Sequence, residues 1–220
     1  GTVSLPISGT AGIYKTTAGT LYLGNRQANS FTGTTTIVRG SIVGASVVDV
    51  VSINGPLVVG SPDGGPSASY SNSGNNKGFN STKPVTVYKN GSVNFGGGAQ
   101  NLNGTVTIIG GYVVGTQIYG NGGVSMTGGT FAGLTYANDR TFTINACPTT
   151  ATVSASSNMS YTFAVADGDA PVDLLFSGSL TSTRTLTKSG AGLMIATGMS
   201  SHSGGTTINA NGGSMLVNNK

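Results

Sequence analysis

Three carboxylates form the densest group of side chains in this sequence that could do chemistry. Asp167, Asp169 and Asp173 stand within one short segment, and Arg184 follows downstream. Carboxylate oxygens are the ligands that Ca²⁺ prefers in proteins, and clustered acids can also act as general acids and bases. However, the segment lacks the spacing of a calcium-binding loop, and its Asp-Gly and Ala-Pro pairs are typical of a solvated turn. We favour the turn and keep calcium binding as the weaker hypothesis.

The other residue types that support catalysis are rare. His202 is the only histidine, so the sequence offers neither a histidine-based triad nor a base for a serine nucleophile. Cys147 is the only cysteine, which excludes an internal disulfide, and we interpret it as a small buried hydrophobic residue. The glycine-rich stretches 96–98 and 110–111 lack the Lys-Ser/Thr ending of a phosphate loop. We therefore predict no catalytic residue and no cofactor, and expect that the chain is not an enzyme.

The composition is that of a β-rich protein with little charge. The 220 residues include 37 Gly and no Trp, and only 7% are charged, compared with about 25% in ordinary proteins. Hydrophobic residues make up 37% and occur in alternating β-branched runs, which argues against disorder. Glycine and threonine interrupt every window that could form a helix, and no apolar run is long enough to insert in a membrane. The basic residues are scattered, so we expect no nucleic-acid partner.

Short alternating segments bounded by Gly or Asn recur along the whole chain and predict strands. The predicted strands are 20–23, 34–38, 85–88, 105–109, 123–126, 140–144, 161–165, 183–186, 193–196, 206–208 and 214–217. Many short strands without a helix are typical of a sandwich, a barrel or a solenoid. Glycine pairs beside these strands favour a solenoid, because each coil needs tight corners that glycine can form.

Self-similarity between the two ends of the chain supports the solenoid. Segment 19–23 followed by 29–37 parallels segment 192–196 followed by 200–208, and a weaker copy lies at 103–108. A repeated unit that cannot bury its own apolar face implies that neighbouring units stack. We therefore predict one all-β solenoid domain over residues 1–220.

The two end units also match a known family. Segments 13–19 and 186–192 provide a Lys-containing lead-in, and segments 32–37 and 203–208 each end in Thr-Thr-Ile. These residues resemble the autotransporter-associated β-strand repeat, also called the passenger-associated transport repeat, over about a third of the chain. Phe31 takes the aromatic position of that repeat in the first unit, whereas His202 takes it in the last. The resemblance implies a right-handed parallel β-helix exposed outside a bacterial cell, and it does not imply a catalytic activity.

Segment 61–84 is the longest stretch without a predicted strand, and we interpret it as a loop or insertion. Tyr70, Lys77 and Phe79 give it adhesive potential, so we expect a partner or ligand to contact these three residues. A surface insertion without such a role is the alternative.

These patterns together favour a structural function. A solenoid leaves unpaired strand groups at its first and last coils, and here the best repeat units lie at both ends. We expect a secreted protein of the bacterial cell surface that forms a homo-oligomer or polymer, such as a filament, sheath or surface layer. The alternatives are a passenger fragment of an autotransporter-type adhesin that binds a cell surface or polysaccharide and, more weakly, a carbohydrate-active β-helix enzyme that uses the region of Asp167.

Overall fold

A computed structural model describes residues 1–24, 26–44, 50–73, 78–96, 98–119, 122–135, 139–157 and 159–218. Over these ranges the chain is all-β and contains no helix, so no helix there could cross a membrane. Parallel strands follow one another in stacked coils and build a β-solenoid of about 9 coils. The all-β solenoid predicted from the sequence is confirmed.

Two parallel sheets form the two strand-bearing sides of the stack. The long sheet contains 12 of the described strands, and the short sheet contains 10. The long sheet consists of β1 (Thr2–Val3), β3 (Thr20–Leu23), β5 (Gly40–Gly44), β7 (Ala68–Asn72), β9 (Gly91–Asn94), β12 (Tyr112–Tyr119), β14 (Gly129–Thr135), β16 (Ala151–Ser157), β18 (Leu174–Phe176), β20 (Leu193–Ala196) and β22 (Ser214–Val217), with β10 (Ala99–Asn101) beside β12.

The short sheet alternates with the long one along the chain. It consists of β2 (Tyr14–Lys15), β4 (Thr35–Ile37), β6 (Leu57–Val59), β8 (Val85–Tyr88), β11 (Val106–Ile109), β13 (Val124–Met126), β15 (Arg140–Ile144), β17 (Tyr161–Val165), β19 (Leu186–Ser189) and β21 (Thr206–Ile208). Each strand from β4 to β19 in this sheet pairs with the strands one coil before and one coil after it, as in other solenoids.

The length of a coil varies because the corners differ while the strands stay in register. Asn145 hydrogen-bonds to Thr127, which precedes it by 18 residues. Ser41 and Ser69 are hydrogen-bonded neighbours on adjacent coils at a separation of 28 residues. Insertions are therefore accommodated at the corners, where they do not disturb the ladders.

The core runs through the middle of the stack as one cluster of buried side chains. Val106 and Ile108 are buried, while Thr107 between them is half-buried, because successive residues of a strand point to opposite faces. Aromatic rings contribute to the core in both halves of the chain: Phe79 lies 6.1 Å from Phe95 in the first half. In the second half the rings of Phe142 and Phe163 stack with centroids 5.1 Å apart, and Phe176 lies 5.2 Å from Phe163. Burial of these side chains supplies the main stabilisation.

Asn29 shows how a buried polar side chain is satisfied at a corner. Its Oδ1 accepts a hydrogen bond from the backbone N–H of Ile7 at 2.8 Å, and its Nδ2 donates to the carbonyl of Ser52 at 2.7 Å. These partners belong to the coils before and after it, so one side chain links three coils. Buried polar groups are tolerated when they are hydrogen-bonded in this way.

The structure corrects the interpretation of segment 61–84. Residues 68–72 form β7, which pairs with β5 on one side and β9 on the other. The segment therefore contributes a strand to the long sheet and is not a strandless insertion. The alternating pattern did not predict this strand because it consists of Ala, Ser, Tyr and Asn, most of which have a low β propensity. Pairing with a strand on each side stabilises it instead.

Candidate functional site

The three carboxylates of the predicted acidic segment do not form a metal site. Asp167 and Asp169 are exposed, whereas Asp173 is buried and its carboxylate is hydrogen-bonded to backbone N–H groups. Within the described ranges, no group of three or more His, Cys, Asp or Glu side chains could hold a metal ion. The hypothesis of calcium binding at Asp167, Asp169 and Asp173 is therefore wrong, because the third carboxylate is already engaged by the backbone.

Asp173 links its own coil to the next one by hydrogen bonds to the backbone. Its Oδ1 accepts a hydrogen bond from the backbone N–H of Gly168, and its Oδ2 accepts one from the N–H of Leu193, each at 2.8 Å. Lys188 is 0% exposed, and its Nζ donates to the carbonyls of Gly190, at 3.0 Å, and Gly212. Burial lowers the pKa of the Lys188 ammonium, and the negative charge of Asp173 opposes this shift. The Asp173 carboxylate therefore has a structural role as the acceptor of two backbone N–H groups.

Replacing Asp173 by Ala should lower the free energy of unfolding by roughly 3–5 kcal/mol, because two partly buried N–H groups lose their acceptor and buried Lys188 loses its counter-charge. Chemical denaturation followed by circular dichroism measures this change. The matched control is Asp167→Ala, at an exposed carboxylate, which should change stability by less than about 0.5 kcal/mol. Millimolar Ca²⁺ should leave the stability of the wild-type chain unchanged, and a Ca²⁺-dependent stabilisation lost in Asp167→Ala would contradict this assignment.

The residues expected to contact a partner lie mostly in the core. Tyr70 and Phe79 are each 1% exposed, and Lys77 lies outside the described residues. The Tyr70 hydroxyl donates to the carbonyl of Gly78 at 3.2 Å, and the Tyr70 ring packs edge-on against Phe95 at 6.5 Å. Burial raises the pKa of the Tyr70 hydroxyl. The predicted contact at Tyr70 and Phe79 is therefore wrong, since both side chains face inward.

The single cysteine and the single histidine each make a local hydrogen-bond contact. Cys147 is buried, as predicted, and its Sγ accepts a hydrogen bond from the N–H of Gly128 at 3.1 Å. Burial raises the pKa of the Cys147 thiol, which disfavours the reactive thiolate. The Nε2 of His202 lies 3.1 Å from the Thr206 hydroxyl at an exposed corner.

The feature that stands out is the distribution of exposed large hydrophobic side chains. Nine such side chains are exposed among the described residues, and seven of them belong to the first two or the last two coils. The seven are Leu5, Tyr14, Tyr22, Met199, Ile208, Leu216 and Val217. Ile208 and Val217 occupy inward positions and are exposed because no described coil follows them. Tyr14, Tyr22 and Leu216, in contrast, lie on the outer faces of their strands. Sequence reasoning pointed to the ends of the stack but not to these residues.

The backbone at both ends is also unpaired on one side. Within the described residues, β21 and β22 have neighbours only in the preceding coil, and β1 and β2 only in the following one. Such edges present rows of N–H and C=O groups that can accept a further strand. At the first coil, a recess of about 430 Å³ opens beside Leu5, Pro6 and Arg26. The two ends therefore combine apolar surface with open hydrogen-bonding edges.

Comparisons with known proteins add no identity to this geometry. No protein-family model, no curated protein and no solved structure matches this chain. The functional argument therefore depends on the residues and contacts described above.

Proposed function

We propose that this chain is a structural β-solenoid that works outside a bacterial cell by joining copies of itself into a filament, sheath or surface layer. The observation that carries the proposal is the concentration of exposed apolar side chains and unpaired strand edges at the two ends of the stack. In solenoids that stay monomeric, the end coils are normally capped by polar or atypical units.

The low charge of the chain supports self-association. Only 7% of the residues are charged and the net charge is +4, so repulsion between copies is weak. The side walls are built largely of Thr, Ser, Gly and Asn, and only two of the nine exposed large hydrophobic side chains, Ile109 and Tyr112, lie away from the ends. End-to-end contacts are therefore favoured over contacts between side walls.

The location outside the cell is supported by two properties of the sequence. The chain is poor in charge and rich in Gly, Thr, Ser and Asn, which is a composition common in bacterial surface proteins. Its end units also resemble the autotransporter-associated repeat, which is found in exported passenger proteins. Fractionation of the native cells with an antibody against the chain tests this part of the proposal, and recovery in the cytoplasmic fraction would contradict it.

Self-association is tested directly with the purified chain. We expect sedimentation velocity to show species that grow with concentration, and negative-stain images to show regular polymers. Replacing Leu216 by Asp should weaken assembly at least about tenfold, because a charge at the edge strand opposes burial against another copy.

The matched control is Ile109→Asp, which places the same charge at an exposed position in the middle of the stack. Assembly of this variant should equal that of the wild type. If the wild-type chain gives only isolated particles up to roughly 100 µM, a range in which weak protein contacts are populated, self-association is wrong. That result is the one expected of a passenger fragment of an adhesin.

A further inference from the structure

The first five strands and the last five strands of the chain form the same structural unit. β1 to β5 and β18 to β22 occur in the same order on the two sheets and pair in the same register. In the first unit, the register pairs are Thr2 with Tyr22, Lys15 with Ile37, and Leu21 with Ile42. The equivalent pairs in the last unit, in the same order, are Leu175 with Ile195, Lys188 with Ile208, and Met194 with Met215. Each environment in the first unit can therefore be compared with its equivalent in the last.

A lysine occupies the same position in both units and makes equivalent hydrogen bonds. The Nζ of Lys15 donates to the carbonyl of Thr17, two residues on, and to that of Arg39, 24 residues on, at 3.4 Å. The Nζ of Lys188 likewise donates to the carbonyl two residues on and to the carbonyl 24 residues on. The corner is thus built identically at the two ends of the stack.

The two lysines differ in how they are covered. Lys188 is fully buried because Phe163 of β17, in the preceding coil, pairs with it and lies over it. Lys15 is only half-buried, since β2 has no strand before it in the short sheet over the described residues. The first coil therefore exposes a face that, in the equivalent unit, is covered by a coil.

The last coil shows the converse difference. Ile37 is 0% exposed because β6 follows it and places Val59 in register with it. The equivalent Ile208 is 47% exposed, although it occupies the same inward position in an identical Thr-Thr-Ile strand. The last coil therefore exposes a face that, in the equivalent unit, is covered by the next coil.

We propose that the last coil of one copy stacks on the first coil of the next copy, so that each end covers the face left open by the other. This inference rests on the proposed function and specifies its junction. All strands in both sheets are parallel, so the direction of the chain is retained across the junction. A head-to-tail contact of this kind uses two different surfaces and does not close, which produces a filament.

The junction in the short sheet follows from the pairing of β17 with β19. There, Thr162 is opposite Thr187 and Phe163 is opposite Lys188. Because Lys15 is the equivalent of Lys188, the same register places Ile208 of one copy over Lys15 of the next. The half-buried ammonium then gains the apolar cover that Lys188 has.

The junction in the long sheet requires an exchange of strands. The first and last described strands, β1 and β22, both belong to the long sheet. If β21 of one copy pairs with β2 of the next, β22 must take the place of β1 against β3. β1 is the weaker strand, because it contains two residues and Thr2 is exposed, whereas β22 contains four.

The register of the exchanged strand follows from β18 and β20, where Leu175 is opposite Ile195. By equivalence, Leu216 of one copy lies opposite Tyr22 of the next. Both side chains are exposed on the outer face in the separate chain, so cysteines at these positions should not disturb the core. Opposed residues on neighbouring strands lie about 4.8 Å apart, within the range that a disulfide can bridge.

The experiment mixes two single-cysteine variants, Leu216→Cys and Tyr22→Cys, under mild oxidation. We expect a disulfide-linked heterodimer from the mixture and at least about tenfold less product from either variant alone, because the two ends are different surfaces. Native Cys147 is buried and should not react. Circular dichroism of each variant verifies that the fold is retained.

The control pair is Leu216→Cys with Thr2→Cys. If β22 merely stacked on β1, Leu216 would face Thr2 and lie two strands from Tyr22, at about 9.6 Å, which is too far for a disulfide. Cross-linking to position 2 in preference to position 22 would overturn the strand exchange. Polymers without either heterologous cross-link would overturn the junction while leaving the proposed function intact, and the absence of polymers would contradict both.

Discussion

Replacing Phe163 by Ala should lower the free energy of unfolding by roughly 3–5 kcal/mol, which is the usual effect of removing a fully buried aromatic ring. The ring of Phe163 lies between Phe142 at 5.1 Å and Phe176 at 5.2 Å, in the coils before and after it. It also contacts Tyr161 at 5.8 Å on its own strand. The substitution therefore removes packing at two interfaces between coils at once.

Chemical denaturation monitored by circular dichroism provides the measurement for Phe163→Ala. The control is Tyr112→Ala, since Tyr112 is an aromatic residue of the long sheet that is 44% exposed. Its removal should change stability by less than about 1 kcal/mol. Equal losses of unfolding free energy in the two variants would contradict the view that packing of the aromatic core stabilises the contacts between coils.

Replacing Gly133 by Ala should destabilise the stack by about 3 kcal/mol or more. Gly133 in β14 has a φ of 130°, a conformation that residues with a side chain rarely adopt. A Cβ atom at this position would also overlap the carbonyl oxygen of Gly115 in the neighbouring strand β12. Relief of the overlap requires the two strands to separate, which weakens the ladder on both sides of β14.

A second glycine-to-alanine substitution provides the control for Gly133→Ala. Gly123 has no left-handed φ, and a Cβ atom there would meet nothing within 4 Å. Gly123→Ala should therefore leave stability unchanged or raise it by up to about 1 kcal/mol, because alanine restricts the unfolded chain. Thermal unfolding of the two variants side by side measures the difference, and similar melting temperatures would contradict the steric argument.

The short sheet was largely predictable from the sequence, whereas the long sheet was not. Segments 85–88 and 140–144 were predicted as strands and are β8 and β15, since alternating β-branched and aromatic residues mark them clearly. β16 was missed because Ala and Ser dominate its sequence, Ala-Thr-Val-Ser-Ala-Ser-Ser. Such a strand is stabilised by β14 and β18 on either side, and this tertiary contribution is absent from local patterns.

Buried polar residues account for the other differences. The strand predicted at 183–186 lies at 186–189, because Lys188 points inward, which a pattern of alternating hydrophobic residues does not anticipate. Asp173 was considered with its neighbours as a calcium ligand, although its carboxylate binds two backbone N–H groups. Spacing along the sequence shows which residues are close in the chain, but it does not show whether a side chain faces the core or the solvent. The same limitation placed Tyr70 on the surface when it belongs to the core.

The direction of the backbone hydrogen bonds determines how the stack responds to mechanical force. In both sheets these bonds join one coil to the next, so they lie along the axis on which the coils are piled. Tension applied along that axis loads the interfaces in series, and the weakest one yields first. Each rupture releases the residues of one coil, between 18 and 28, and leaves the other coils folded. The stack therefore lengthens in steps and absorbs work as its coils unfold.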